Sequence, residues 1–191
     1  KARKNNLPSR AIYKLEEIDE KRKILRANQI VVDLGSAPGG FTEYARNKVK
    51  PNGFVVAIDL IEQRQFENVT FIKGDVRENL SRIWQAVGER ECVDVVLSDM
   101  SHNIVGNRFV DAEKALESVR LASVVCKLVL KKNGVLLAKM RQGSDALTKV
   151  DEMLKSVGFR QVSLMKPPAS RKESAELFVL AQKFNKNKQE N

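Results

Sequence analysis

The segment from Ile30 to Phe41 constrains the fold of this chain more than any other. It reads Ile-Val-Val-Asp-Leu-Gly-Ser-Ala-Pro-Gly-Gly-Phe, so an apolar run into Asp33 is followed by a glycine-rich loop and a predicted helix start. A buried strand that leads through glycines into a helix is typical of the ligand-binding corner of a doubly wound α/β sheet. The spacing of these glycines differs from the G-x-G-x-x-G pattern of dinucleotide-binding proteins. A purely structural turn between strand and helix is the alternative interpretation.

Strand-like and helix-like segments alternate along the rest of the chain. After a basic arm over residues 1–8, apolar spacing behind Ser9 predicts a helix over residues 10–26. Apolar runs predict strands over residues 29–33, 54–60, 69–73, 93–98 and 135–140, and the longest of the intervening helices is predicted to begin at Asp111. The last two predicted strands, 159–166 and 175–182, are joined by a loop too short for a crossover helix, so they should be antiparallel.

The expected architecture is therefore α/β, with a mostly parallel sheet, an antiparallel C-terminal strand pair and helices on both faces. No repeat or low-complexity linker divides the chain, so residues 1–191 are predicted to form a single domain. The polar tail over residues 184–191 is expected to be disordered.

The charge balance favours a polyanionic partner. The chain has 34 Lys and Arg residues against 24 Asp and Glu residues, a formal net charge of +10. Such an excess of cations is typical of proteins that bind nucleic acids, because each neutralised phosphate releases counterions. A solvated basic surface without any nucleic-acid partner is the alternative.

Cysteine and histidine usage argues against a metal site. Cys92 and Cys126 both lie in apolar stretches, and His102 is the single histidine of the chain. Two small core thiols fit a reducing compartment, and we therefore predict a cytoplasmic protein without a metal. No uninterrupted apolar run approaches the ~20 residues of a membrane span.

Ionisable residues stand where the predicted parallel strands end. In an open α/β sheet the ligand lies outside the carboxyl ends of the strands. An acid after the second strand, Asp59, is well placed for ribose hydroxyls, Asp75 for the amino group of adenine, and Asp99 for a bound cation or a reacting hydroxyl. The full set is Asp33, Asp59, Asp75, Asp99 and Lys139. Each acid taken singly could instead cap a helix or a turn.

Several separated motifs stand out: the glycine segment from Asp33 to Phe41, Ser98-Asp-Met, Lys139, the stretch Ser9-Arg-Ala-Ile-Tyr-Lys-Leu, the loop over residues 166–171 and the run Glu176-Leu-Phe-Val-Leu. Together they closely resemble the FtsJ (RrmJ) family of S-adenosylmethionine-dependent RNA ribose 2′-O-methyltransferases. The resemblance extends from about residue 9 to residue 182. It implies a Rossmann-like methyltransferase fold and S-adenosyl-L-methionine as the cofactor.

The resemblance also implies roles for individual residues. The catalytic tetrad of the family falls on Lys14, Asp99, Lys139 and Glu176. Contacts to the methyl donor fall on Gly39, Phe41, Asp59, Asp75 and Asp99, and the same glycine loop adds Gly35 and Gly40.

Three departures from the family pattern stand out. Phe41 replaces a usual Trp, which keeps the apolar packing but loses an N–H donor. Ser101-His102-Asn103 replaces a usual Ala-Pro-Asn, so this loop could have its own shape. Glu173 is a second acid close to Glu176, and Glu176 is preferred for its place directly before the last strand.

The reaction implied is methyl transfer to a ribose 2′-hydroxyl. Lys139 is the candidate base, or alternatively the group that orients the hydroxyl, and the sequence leaves these two roles open. A basic rim for RNA phosphates is expected from Lys4, Arg10, Lys166, Arg171 and Lys172.

Large-subunit ribosomal RNA is the favoured substrate, acted on by a monomer, and the anticodon loop of transfer RNA is the close alternative. An NAD-dependent oxidoreductase and a non-catalytic RNA-binding protein are rival interpretations. Neither accounts for Lys14, Lys139 and Glu176 together.

Overall fold

The computed structural model describes residues 11–101, 105–141, 146–167 and 176–186. The predicted arm and most of the predicted tail lie outside these ranges. The described helices are α1 (Ala11–Arg22), α2 (Gly40–Val49), α3 (Leu80–Ala86), α4 (Arg108–Val129) and α5 (Ala146–Val157). The strands are β1 (Ile30–Leu34), β2 (Phe54–Asp59), β3 (Val69–Lys73), β4 (Val93–Ser98), β5 (Leu130–Arg141), β6 (Gln161–Met165) and β7 (Glu176–Gln182).

The strands form one seven-stranded sheet in the order β3-β2-β1-β4-β5-β7-β6. β1 to β5 pair in parallel, whereas β7 is antiparallel to both β5 and β6. The predicted antiparallel C-terminal pair is thereby confirmed. The strand order reverses between β1 and β4, and this is the switch point at which open α/β sheets bind their ligands.

Alternate residues of the parallel strands face two separate apolar cores. Val32, Val56 and Val96 pack towards α3, α4 and α5, whereas their neighbours Val31 and Val55 pack towards α1 and α2. Both faces of the central strands are covered, which explains why these strands read as continuous apolar runs in the sequence. The prediction of helices on both faces is confirmed.

Several predicted element boundaries were wrong: α1 ends at Arg22 rather than at residue 26, and β6 begins at Gln161 rather than at residue 159. Two further errors have a local cause. α4 begins at Arg108 rather than at Asp111, whose carboxylate instead accepts hydrogen bonds from the N–H groups of Val105 (2.9 Å) and Gly106 (3.2 Å) and so holds the preceding loop. β5 begins at Leu130 rather than at residue 135, because a register shift lets the residues after Leu130 join the sheet before Val135 resumes regular pairing with β4.

Within the described ranges, none of the helices has the length and apolar character needed to cross a bilayer. The same residues contain no cluster of three or more His, Cys, Asp or Glu side chains that could hold a metal ion. Cys92 and Cys126 carry free thiols.

Candidate active site

A cleft of about 650 Å³ opens at the carboxyl ends of the parallel strands. Five residues singled out in the sequence line this cleft: Gly35, Asp59, Asp75, Asp99 and Lys139. They come from five places in the chain, and the parallel pairing of β1 to β5 brings them together. The convergence of ionisable groups in one cleft is the usual signature of a functional site.

Gly35 allows the loop after β1 to pass close to the end of β4. Its φ of +72° favours glycine, and an added Cβ atom would lie 2.8 Å from the backbone of Met100. Its N–H group donates to the carbonyl of Ile58 at 2.9 Å, which ties the glycine loop to β2. A side chain at position 35 would therefore displace the floor of the cleft.

Asp59 ends β2 with both carboxylate oxygens held by the backbone. Oδ2 accepts a hydrogen bond from the N–H of Ala37 at 2.9 Å, and Oδ1 accepts one from the N–H of Ile61 at 2.8 Å. A carboxylate oxygen has two lone pairs, so each oxygen keeps one for a ligand. Two fixed acceptors at one wall of the cleft suit a pair of neighbouring hydroxyl groups such as those of a ribose.

Asp75 lies on the same wall, after β3. Its Oδ1 accepts a hydrogen bond from the N–H of Arg77 at 2.8 Å, and its carbonyl oxygen accepts one from the amide of Asn79 at 2.7 Å. The turn is thus fixed on both sides of the residue, and Asp75 lines the cleft. An oriented acceptor of this kind suits an amino group at the edge of a base.

The four tetrad residues form two lysine–carboxylate pairs. Lys139 Nζ lies 2.8 Å from Asp99 Oδ1 and also donates to the Asp99 carbonyl at 2.7 Å, and Lys14 Nζ lies 2.6 Å from Glu176 Oε2. All four side chains are 16–23% exposed. β7 places Glu176 opposite Arg141 of β5, so Glu176 and Lys139 project from the same face of the sheet. The α1 helix brings Lys14 to that face.

Burial of Asp99 raises its pKa above the ordinary range of an aspartate, and the positive charges of Lys139 and Lys14 oppose this increase while Glu176 adds to it. The other three members of the tetrad therefore all act electrostatically on the carboxyl group of Asp99. Nζ of Lys139 has three positions besides its bond to Cε, and Asp99 engages two of them. The third, an N–H of the ammonium form or the lone pair of the amine form, is left for a group in the cleft.

Lys14 and Glu176 do not line the cleft itself, and neither do four further residues singled out in the sequence. Gly39 and Gly40 lie at the start of α2, and Phe41 is 2% exposed with its ring 6.2 Å from that of Phe178 in the core. Asp33 is fully buried in β1, where its Oδ2 accepts a hydrogen bond from Thr42 Oγ1 at 2.6 Å. The interpretation of Asp33 as a residue at the open end of a strand was wrong. Contact of Gly39, Gly40 or Phe41 with a ligand stays a prediction.

Sequence reasoning missed the contribution of α4 and of the turn after β3. Ser118 and Leu121 of α4 line the cleft, as does Arg77. The apolar spacing of α4 marked Val119 and Ala122 as core positions, which is where they lie, but it carried no signal for the neighbouring positions. Arg77 could have been noted as a cation two residues after Asp75.

The predicted RNA-binding residues are described only in part. Lys166 is exposed directly after β6, whose end lies at the same edge of the sheet as the end of β5. Lys4, Arg10, Arg171 and Lys172 lie outside the described residues, as do His102 and Glu173.

The residues of the cleft fit a nucleoside-containing methyl donor. Asp59 and Asp75 supply fixed acceptors on one wall, Gly35 lets the backbone come close, and the lysine–carboxylate pairs lie beyond them. Together with the sheet and the glycine loop, these features define a Rossmann-like methyltransferase that uses S-adenosylmethionine.

Comparison with known proteins identifies the family. Residues 7–184 match the FtsJ-like methyltransferase family, and the chain belongs to it. A relative from Legionella pneumophila (strain Corby), named ribosomal RNA large subunit methyltransferase E, is 39% identical over 97% of this chain and 89% of its own length. A relative of the same name from Hydrogenovibrio crunogenus is 40% identical over 95% of this chain and 87% of its own length.

Solved structures share the fold. A Plasmodium falciparum structure described as a ribosomal RNA methyltransferase matches with a TM-score of 0.82 and 24% identity, covering 93% of this chain and 98% of its own. Fibrillarin from Aeropyrum pernix, in complex with natively bound S-adenosyl-L-methionine, matches with a TM-score of 0.58 and 15% identity, covering 82% of this chain and 67% of its own. Family membership favours methyl transfer over the oxidoreductase and the non-catalytic RNA-binding protein considered from the sequence.

Proposed function

We propose that the protein transfers a methyl group from S-adenosylmethionine to a ribose 2′-hydroxyl of large-subunit ribosomal RNA. The observation that carries this proposal is the Lys139–Asp99 ion pair. It lines the same cleft as Asp59 and Asp75, the hydrogen-bond acceptors that suit the methyl donor. A lysine held beside a nucleoside-sized cleft suits the activation of a hydroxyl better than the binding of a phosphate, for which surface cations suffice.

The bound donor would supply a methyl group already activated by its sulfonium. The task of the protein is then to align the hydroxyl and to receive its proton. Asp99 fixes Lys139 through two hydrogen bonds, so the remaining position of Nζ is held towards the cleft. Lys14 and Glu176 form the second ion pair of the tetrad, at 2.6 Å.

The substrate is assigned through the relatives and the charge of the chain. Both relatives are named for the RNA of the large ribosomal subunit, which favours this target over the anticodon loop of transfer RNA. The net charge of +10 and the exposed Lys166 beside the tetrad edge support a phosphate-binding rim. The expectation of a monomer is kept, and the free thiols are compatible with the cytoplasm.

The test is a methylation assay with labelled S-adenosylmethionine and three substrates from a strain that lacks the protein. Purified large subunits, protein-free large-subunit ribosomal RNA and total transfer RNA are incubated separately, and the ribose methylation sites are then mapped. We expect one 2′-O-methylated ribose in the large-subunit RNA of the first or second sample. Label in transfer RNA alone, or on a base rather than a ribose, would contradict the proposal.

A further inference from the structure

Three charged side chains connect the cleft to α4. Asp75 lines the cleft, Arg77 follows two residues later and also lines it, and Glu117 lies on α4. The residue after Glu117, Ser118, and the nearby Leu121 belong to the cleft wall as well. This stretch of α4 therefore lies beside the acceptor that suits an adenine amino group.

The guanidinium of Arg77 is shared unequally between the two acids. One of its nitrogens lies 2.6 Å from Glu117 Oε1, whereas another lies 3.4 Å from Asp75 Oδ2. The first distance is that of a strong charge-assisted hydrogen bond, and the second is longer than such a bond. Glu117 therefore holds the cation more tightly than Asp75 does, and it draws the cation away from the carboxylate of the cleft.

The two oxygens of Asp75 differ as a result. Oδ1 accepts a short hydrogen bond from the N–H of Arg77 at 2.8 Å, which fixes the rotamer. Oδ2 has only the distant guanidinium, so its lone pairs remain available in the cleft. Without a competing acid, an Arg–carboxylate pair tends to close into a bidentate contact that uses both oxygens.

We propose that Glu117 is a positioning residue for the methyl donor. It retains Arg77 at a distance from Asp75, and so keeps Asp75 Oδ2 available to accept a hydrogen bond from the 6-amino group of adenine. The proposal deepens the donor assignment made above and rests on it. Glu117 acts only through Arg77, and it sets the affinity for adenine rather than any step of methyl transfer.

Glu117→Ala is the informative variant. Alanine is the best helix former, and Glu117 is half-exposed, so α4 should tolerate the change. Glu113→Ala is a matched control, because Glu113 is another exposed acid of α4 with an ion pair, at 3.1 Å, to a different lysine, Lys149. The Arg77→Met variant removes the competing cation, and the double variant combines it with Glu117→Ala.

The readout is the dissociation constant of S-adenosylhomocysteine, measured by calorimetric titration without RNA. We expect Glu117→Ala to weaken binding by roughly three- to tenfold, the effect of losing about one hydrogen bond. The affinity of the double variant should lie within about twofold of that of Arg77→Met. Once the guanidinium is removed, Glu117 has no cation to keep at a distance from Asp75. An analogue with hydrogen in place of the 6-amino group should bind equally well to wild type and to Glu117→Ala.

Three results would overturn the proposal. One is an affinity of Glu117→Ala for S-adenosylhomocysteine within twofold of the Glu113→Ala control. The others are an equal loss for both ligands and a loss that persists in the double variant, since a merely structural role would give either. Failure of the donor assignment itself would be visible separately, because the wild-type protein would then bind neither ligand.

Discussion

The two halves of the candidate site hold their acids in different ways. In the half that we assign to the methyl donor (the donor half), the carboxylate of Asp59 is fixed by two backbone N–H groups and that of Asp75 by one. In the half that we assign to the RNA hydroxyl that accepts the methyl group (the acceptor half), each acid is paired with a lysine. Asp99 is paired at 2.8 Å and Glu176 at 2.6 Å. Backbone amides cannot move or titrate, whereas a lysine can exchange a proton. The donor half is therefore suited to binding and the acceptor half to chemistry.

Burial sharpens this difference. The lysine–carboxylate pairs are less than a quarter exposed, so removing one member leaves a poorly solvated charge behind. Removing Asp59 leaves only backbone N–H groups, and removing Asp75 leaves one such group and the exposed guanidinium of Arg77. Substitutions in the two halves should consequently differ in kind, with rate affected in one half and affinity in the other.

The largest effect is expected for Lys139→Ala. It removes the group that we place beside the hydroxyl, and positioned proton transfer typically contributes 10²–10⁴-fold, so the single-turnover methylation rate should fall by about that factor. Donor affinity should be nearly unchanged. Lys139→Arg should not restore the rate, because a guanidinium stays protonated and its planar fork does not fit the contacts that Nζ makes with Asp99.

Rapid-quench measurements with saturating donor and RNA would give this rate. A Lys139→Ala enzyme that methylates RNA within about threefold of the wild-type rate would leave alignment alone to explain catalysis. A loss of donor affinity as large as the loss of rate would instead show that Lys139 also contributes to donor binding, so the two halves would not differ in function.

Asp33 belongs to neither half and provides the next prediction. It is fully buried beneath the cleft, and burial raises its pKa to about 7, despite the hydrogen bond from Thr42 that lowers the pKa. Its Oδ1 has no hydrogen-bond partner among the residues that the structure describes. Because the folded pKa is raised, the folded state retains this proton above the pH at which the unfolded chain loses it. Stability from this group is therefore lost as the pH rises from about 4 to about 7.

Asp33→Asn should remove this pH dependence. Relative to the variant, the wild-type protein should lose on the order of 2–4 kcal/mol of unfolding free energy between pH 4 and pH 8. Urea titrations of both proteins across that range measure the difference. Parallel pH profiles would show that Asp33 ionises in the folded protein as easily as in the unfolded chain.

Asp59→Ala tests the donor half directly. Loss of hydrogen bonds to a carboxylate should weaken S-adenosylmethionine binding by about 1.5–3 kcal/mol. The fold should tolerate the change, because the carboxylate lies at the end of β2 and outside both apolar cores. Calorimetric titration that gives the wild-type dissociation constant would remove Asp59 from the donor site, and a slower single turnover at saturating donor would place it in the acceptor half.

Sequence patterns were sufficient for the sheet and for the edge at which the site lies. Strand β4 was predicted with its observed bounds, because apolar runs bounded by polar residues directly reflect burial on both faces. The acids Asp59, Asp75 and Asp99 could be placed in one cleft because parallel strands end at a common edge. These inferences need only the periodicity and direction of the strands.

What the sequence could not show depends on contacts between distant segments. The pairing of Lys14 with Glu176 joins the first helix to the last strand, and the resemblance implied the two residues but not their bond. The buried state of Asp33 depends on how tightly α2 covers β1, and the link from Asp75 through Arg77 to Glu117 depends on where α4 crosses the cleft. Spacing along the chain contains no information on any of these distances.

The smallest effect is expected for substitutions in the basic arm, which should change RNA binding in the acceptor half without changing donor binding. Lys4 and Arg10 precede α1 in the sequence, and α1 carries Lys14 into the acceptor half. Changing both to Gln should weaken binding of any RNA by roughly three- to tenfold and reduce the slope of log affinity against log salt by one to two, since each phosphate contact contributes about 0.9 to that slope.

Lys21→Gln with Arg22→Gln is the matched control, because these exposed cations end α1 away from Lys14. Filter binding at several salt concentrations measures both quantities, and donor affinity should stay at the wild-type value. An unchanged slope, or a slope equal to that of the control, would show that the arm makes no phosphate contact and that the acceptor half binds RNA without it.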